Sequence, residues 1–210
     1  MKGFLERLRP KTAPKPGDPR VDSVLFSTAF AGQGVDPSML VPWEARAVEV
    51  GAKRLPSTWG GKRLQALWAK DKYMALLDTD AVARMERFFD FTAIPSNRTV
   101  IRQEEYGNFM VVLLAGTIAV DRVQPWGERL RLAETHPGDI LGEMSLLDSG
   151  IRFSACTTLT ECEVAALSAE AMDDMMGSDP QLAASLIALL ARKLSLRLRV
   201  VSARLGDSRK

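Results

Sequence analysis

Between Phe91 and Leu167, turn-forming residues cut the chain into short apolar runs, and this spacing limits the fold more than any other feature. Candidate strands are Thr99–Arg102, Phe109–Ala115, Thr117–Arg122, Arg129–Thr135 and Cys162–Leu167. Between them stand Pro95-Ser96-Asn97, Gly107-Asn108, Gly116, Trp126-Gly127 and Pro137-Gly138, residue types that fix the backbone or tolerate left-handed angles. Strands recurring at roughly 8–12-residue spacing predict a sandwich or barrel. Alternating β–α units would need a helix between successive parallel strands, and no such helices are legible here. No internal repeat is visible.

Helical patterns flank this region. Leu64, Leu67, Trp68, Tyr73, Leu76 and Leu77 predict one helix. Asp78-Thr79-Asp80 supplies cap residues for a second, running through Val82, Met85, Phe88 and Phe89. From Ser168 to Leu205 the pattern is helical again, with Asp179-Pro180 marking a start. Ile187, Ala191, Leu194, Leu198, Val201 and Leu205 step by 4, 3, 4, 3, 4, a heptad seam suited to a second copy of the same helix. Leu186, Leu189, Leu190 and Leu196 widen the apolar face toward the chain's own β domain. Arg192, Lys193, Arg197, Arg199 and Arg204 take the remaining faces and read as a solvated stripe. The expected architecture is therefore mainly β with flanking α, and a homodimer through the C-terminal helix.

The amino-terminal third is less regular. Residues 1–20 read as a basic tail and Pro-rich linker, with Phe4, Leu5 and Leu8 on one side of a short helical tip before Pro10, Pro14, Pro16 and Pro19. Residues 21–74 form an extension of unassigned role. Trp43, Trp59 and Trp68 fall in it, and that much aromatic surface is expected to be buried against the chain or a partner. The predicted organisation is 1–20, 21–74, a domain over 75–205 that includes the C-terminal helix, and a tail at 206–210.

Charge and residue inventory exclude several chemistries. Lys+Arg is 28 against Asp+Glu 26, so no global field recommends nucleic acid or an anionic membrane. One His and two Cys make neither a common four-ligand zinc set nor a disulfide scaffold, and a reducing compartment follows. The apolar run from Phe109 to Val120 is too short to span a bilayer. Met1-Lys2-Gly3-Phe4-Leu5-Glu6-Arg7 places charges where a signal peptide needs apolar residues. A soluble, cytoplasmic protein without membrane contact is expected. His136, before Pro137, reads as a solvated loop residue. Cys156 and Cys162 read as small core hydrophobes, and Met172, Met175 and Met176 as helix core. No nucleophile–base pair or metal set is visible, so neither an enzyme nor a cofactor is expected.

The stretch Gly138-Asp139-Ile140-Leu141-Gly142-Glu143-Met144-Ser145-Leu146-Leu147-Asp148-Ser149-Gly150-Ile151-Arg152-Phe153-Ser154-Ala155 carries the chemistry. A strand ends near Gly142, a short apolar turn follows, and a Ser-Gly bend leads to an arginine entering the next strand. Glycine permits close approach of backbone to ligand, N–H groups at a helix start favour an anion, and a guanidinium fork matches a phosphate. A carboxylate on the same loop suits a sugar hydroxyl. These are the groups a phosphorylated sugar requires, although an isolated Glu and Arg could equally form a weak surface ion pair.

The order Gly142-Glu143-Met144-Ser145-Leu146-Leu147, then Arg152, resembles the phosphate-binding cassette of cyclic nucleotide-binding domains. Phe109 to Val120 resembles that family's strand-Gly-strand hairpin, Pro137 to Glu143 its turn into the cassette, and Glu161 to Ser168 its last strand. The closing helix, through Arg197-Leu198-Arg199-Val200-Val201-Ser202, resembles the dimer helix of the catabolite activator protein group. The resemblance covers about residues 75–205 and implies a jelly-roll-like β-roll with N-terminal helices, binding cAMP or cGMP as a sensor.

By that resemblance, Glu143 accepts the ribose 2′-hydroxyl and Arg152 pairs with the cyclic phosphate. Gly142 gives room, backbone N–H groups near Ser145 and Phe153 complete the anion site with Met144 and Ser154 beside them, and Val201 and Ser202 reach the base. The family usually has two small residues after the arginine, where this chain has Phe153-Ser154. That departure opens two alternatives: a cyclic di-GMP receptor, or a ligand-independent dimeric scaffold whose pocket Phe153 fills. The chain ends five residues after Leu205, so no helix-turn-helix is expected, and output is expected through a protein partner, with residues 1–70 as the candidate surface.

Overall fold

The computed structural model describes residues 25–207, with side chains through residue 203. The readings for residues 1–20, for the Leu205 side chain and for the final tail residues lie outside the described region. In chain order the elements are α1 (Phe26–Gly32), β1 (Leu40–Val41), α2 (Trp43–Glu49), β2 (Lys53–Arg54), α3 (Ser57–Trp68), α4 (Thr79–Met85), β3 (Asp90–Ile94), β4 (Thr99–Ile101), β5 (Tyr106–Gly107), β6 (Phe109–Ala115), β7 (Ile118–Val123), β8 (Arg129–Thr135), β9 (Ile140–Leu141), α5 (Glu143–Asp148), β10 (Ala155–Thr158), β11 (Cys162–Ser168), α6 (Ala169–Ser178) and α7 (Pro180–Asp207).

Two antiparallel sheets make the roll. One has the order β4-β10-β7-β8, the other β2-β3-β11-β6-β9. The larger sheet is covered on both faces, which is why β6 reads as an unbroken apolar run. Its side chains alternate between two cores. Met110, Val112 and Leu114 pack into the helical layer with Leu64, Trp68, Met172 and Leu186. Phe109, Val111 and Leu113 line the roll interior with Ile101, Ile118, Cys156 and Val164. β11 alternates likewise, Ala165 and Leu167 toward the helices, Cys162, Val164 and Ala166 inward.

Local capping explains where the helices start. The Asp78 carboxylate accepts the Ala81 N–H at 2.6 Å, the Ser168 hydroxyl accepts that of Ala171 at 3.1 Å, and Asp179 accepts that of Leu182 at 3.2 Å. The single helix expected over Leu64–Leu77 is instead broken. α3 ends at Trp68, and the Asp71 carboxylate accepts the N–H groups of Tyr73 and Met74 at 2.8 and 2.9 Å, starting a separate 3₁₀ turn over Met74–Leu76. The helix expected to reach Phe89 leaves α geometry after Met85: Glu86–Phe88 is a 3₁₀ turn and Phe89 is extended.

The extension is built into both cores. Phe26, Leu64 and Trp68 belong to the helical layer, and Trp43 and Val50 to the roll interior. β1 pairs in parallel with β5, Leu40 opposite Tyr106 and Val41 opposite Gly107. The buried Asp173 carboxylate on α6 holds the start of α1, accepting the N–H groups of Leu25, Phe26 and Ser27 at 2.8–2.9 Å and the Ser27 hydroxyl at 2.7 Å. Trp59 is not buried against the chain itself. It is about half exposed, flanked by the Arg63 guanidinium and 3.4 Å from Glu163. Cys156, Cys162, Met172 and Met175 are buried as read, and His136 is exposed.

Candidate anion-binding site

The candidate site is assembled where β9 turns into α5 and the chain returns to β10. Gly142 sits at φ 78°, a left-handed angle that glycine adopts without penalty, and opens α5. Ser149 closes the helix at φ 56°, and the chain then re-enters the roll at Arg152. The main chain of Arg152 is locked to the β4–β5 loop. Its N–H donates to the Glu105 carbonyl at 2.9 Å, and its carbonyl accepts the Glu104 N–H at 2.8 Å.

The Arg152 side chain points inward and is 3% exposed. Nη1 donates to the Gly142 carbonyl at 2.7 Å and Nη2 to the Phe109 carbonyl at 2.6 Å, while the guanidinium lies 4.7 Å from the Phe109 ring centroid. Two glycines make room for it. A Cβ on Gly142 would stand 2.6 Å from Nη1, and one on Gly107 2.7 Å from Nη2. Burial pushes the Arg152 guanidinium down to about 10, so it remains cationic at neutral pH. Beneath it the buried Cys156 thiol is pushed up to about 12 and stays protonated. Among the described residues, no ion pair involves Arg152.

The acids nearest this cation are engaged elsewhere. Glu143 is buried, and its carboxylate pairs with Arg197 Nη1 of α7 at 2.7 Å. Glu105 pairs with Arg46 of α2. Arg197 of the basic stripe is exposed, and its guanidinium reaches across to the cassette, while Lys193, one turn earlier, is half-buried and pairs with Asp71 at 2.6 Å. Neither Arg197 nor Arg46 carries a sequence signal of these pairings, because each acid partner lies far along the chain.

The remaining cassette residues are distributed as follows. Ser145 is buried, Met144 exposed and Ser154 half-buried. Phe153 is not buried in the roll interior. Its ring is half exposed and stacks against the Arg122 guanidinium at 4.0 Å, and Arg122 also donates to the Phe153 carbonyl at 2.5 Å. Val201 and Ser202 are exposed on α7. Of the seam, Ile187 packs partly on the helical core, Leu194 is half-buried, and Ala191, Leu198 and Val201 are exposed. No cluster of metal-ligating side chains occurs among the described residues. Chemically, the arrangement can take up an anion at Arg152 and a hydroxyl donor at Glu143.

Residues 91–179 match the model of the cyclic nucleotide-binding domain family. A CRP-like cAMP-activated global transcriptional regulator of Mycobacterium tuberculosis is 27% identical over 118 residues, 56% of this chain and 53% of its own. The cyclic AMP receptor protein of Thermus thermophilus is 31% identical over 107 residues, 51% of this chain and 50% of its own. The chain thus spans about half the length of the curated relatives it matches. Among solved structures, a cyclic nucleotide-binding domain from Methylobacillus flagellatus superimposes with a TM-score of 0.68 at 20% identity, covering 75% of this chain and 89% of that one, a likeness of fold.

Proposed function

We propose, from the premise that residues 91–179 belong to the cyclic nucleotide-binding domain family, that this chain is a cyclic-nucleotide sensor whose ligand phosphate seats on Arg152. The observation that carries the reading is an inward guanidinium, almost fully buried, with no carboxylate partner among the described residues. A buried cation without a counter-charge is costly, and an anionic ligand supplies what the protein withholds. Two of the five N–H donors of a guanidinium are directed at the Gly142 and Phe109 carbonyls, and the others suit phosphate oxygens.

In this reading Glu143 accepts the ribose 2′-hydroxyl, N–H groups near Ser145 and Phe153 add to the anion site beside Met144 and Ser154, and Val201 and Ser202 meet the base. The names of the curated relatives, cAMP-activated regulators and a cyclic AMP receptor, support cAMP over other cyclic nucleotides and a regulatory role over catalysis. The position of Phe153 against Arg122 argues against a pocket plugged by that ring. Because Glu143 also holds Arg197, a ligand hydroxyl at Glu143 biases the position of α7, and the shift equals the difference in ligand affinity between the two arrangements. Output then passes to a protein partner, with residues 1–70 as the candidate surface. No helix among the described residues is long and apolar enough to cross a membrane, and cytoplasmic residence belongs to the same proposal.

Calorimetry and thermal melting against cAMP, cGMP and cyclic di-GMP test the reading. Ligand at about 100 times Kd stabilises a fold by about 2.7 kcal/mol. Such a shift is expected with cAMP. A shift with cyclic di-GMP alone reassigns the ligand, and no shift with any leaves only the scaffold reading.

The same proposal includes a dimer through α7, where Leu198 and Val201 are 66% and 47% exposed in the single chain. Sedimentation is expected to give a dimer at micromolar concentration and a monomer for Leu198→Glu with Val201→Glu. A monomeric wild type ends the dimer proposal.

A further inference from the structure

We propose that Arg46, which lies outside the family-matched segment, keeps the anion site open by holding the Glu105 carboxylate away from Arg152. This rests on the reading of Arg152 as the phosphate site and deepens it.

Glu105 is the acid best placed to neutralise Arg152. Its own carbonyl accepts the Arg152 N–H at 2.9 Å, so the two residues lie side by side on adjacent segments. Its negative charge also acts favourably on the Arg152 guanidinium. A carboxylate beside a buried, unpaired guanidinium normally closes on it as a charge-assisted pair. Here the carboxylate turns instead to Arg46, which is 1% exposed and bridges Glu105 and Glu49, the latter at 2.5 Å. α2 is fixed in place one turn earlier by Trp43, whose ring meets Phe109 edge-on at 5.3 Å.

Stability alone accounts poorly for Arg46. Its Nε–H is buried without a partner, and apolar side chains of similar volume commonly replace buried ion pairs at no cost. What an apolar residue could not do is occupy Glu105. The other acid of the site is handled in the same way, Glu143 being held by Arg197 of α7. The family-matched segment holds Arg152 and both acids. The two arginines that occupy those acids come from the flanks, one from α2 and one from α7. Arg46 is thus a positioning residue, acting on the ligand through Glu105.

Three variants decide the matter: R46M, E105Q and the double variant R46M/E105Q. Calorimetry with cAMP is expected to show R46M weakened about tenfold, within the coupling range of neighbouring charged groups. E105Q is expected to bind no more weakly than wild type, and the double variant to return to within about threefold of it, since the competing acid is gone. R46K, which keeps the charge, is expected to rescue most of the loss. R46Q replaces R46M if the methionine variant does not fold. A merely structural Arg46 gives a double variant as weak as R46M, and that result overturns the proposal. A ligand-free crystal structure of R46M supplies a readout that needs no nucleotide. The Glu105 carboxylate is expected within 4 Å of Arg152, the usual ion-pair limit, and a carboxylate that stays away overturns the inference. If wild type binds no cyclic nucleotide, the sensor reading fails, while that structure still decides the role of Arg46.

Discussion

Replacing Arg152 with methionine is expected to abolish cyclic-nucleotide binding while leaving the melting temperature close to that of wild type. The two halves of this expectation have different causes. In the liganded protein Arg152 would be one partner of a desolvated, hydrogen-bonded charge pair, and truncating such a partner costs about 2–5 kcal/mol, or roughly 25-fold and upward in affinity. In the ligand-free protein the same guanidinium is a burden. Burial lowers its proton affinity, no described carboxylate pairs with it, and its compensation is two carbonyl contacts and the Phe109 face. Methionine relieves the desolvation and fills the volume, and it leaves the Gly142 and Phe109 carbonyls without donors, a loss of about 1–3 kcal/mol each at most. The contributions oppose each other, so the net change in stability is small. Calorimetry with cAMP and a thermal melt read both halves. Wild-type affinity in Arg152→Met places the phosphate elsewhere. Arg152→Lys separates charge from geometry, since an ammonium keeps the cation and loses the fork, and an intermediate affinity is expected.

Which parts of this molecule the sequence discloses follows from how local their causes are. The roll is legible because glycine and proline punctuate it at fixed offsets, and Gly116, Gly127 and Gly138 do take left-handed angles at the turns where they were read. The cassette is legible because Gly142, Glu143 and Arg152 are close in sequence and their spacing is dictated by one turn of helix and one bend. The short strands β3 and β10 lacked a clear apolar run, and their pairing comes from β11 and β7 across the sheets. The break between α3 and the turn at Met74 depends on a single carboxylate, Asp71, capping two N–H groups within a stretch whose periodicity continues unbroken. The roles of Arg46 and Arg197 were not legible because each is defined by a partner far along the chain, Glu105 and Glu143, 59 and 54 residues away. Long-range polar pairing leaves no periodic trace. A lone arginine on a helix reads as solvated until the fold brings an acid to it.

Trp43→Ala is expected to be strongly destabilising and to show that the extension and the roll unfold together. Trp43 is 2% exposed and lies in the roll interior with Ile101, Phe109, Val111 and Leu141. Removing a buried tryptophan costs about 3–5 kcal/mol when the cavity cannot collapse. Collapse is opposed here because the lining residues belong to strands fixed by ladders on either side, β6 between β11 and β9. For a chain of this size the loss corresponds to roughly 6–20 °C in Tm. Trp59→Ala is the control: that ring is half exposed, and a surface substitution of this kind changes stability by about 0.5 kcal/mol or less. If residues 25–74 were an independent appendage, Trp43→Ala would leave the main transition untouched and create a second, lower one. A single transition shifted downward is expected instead. The variant also reaches the site, because Trp43 packs edge-on against Phe109, the same ring that the guanidinium of Arg152 contacts. Nucleotide affinity is therefore expected to fall along with Tm in Trp43→Ala and to hold in Trp59→Ala. This ties the binding of a small anion in the roll to a helix that lies outside the family-matched segment.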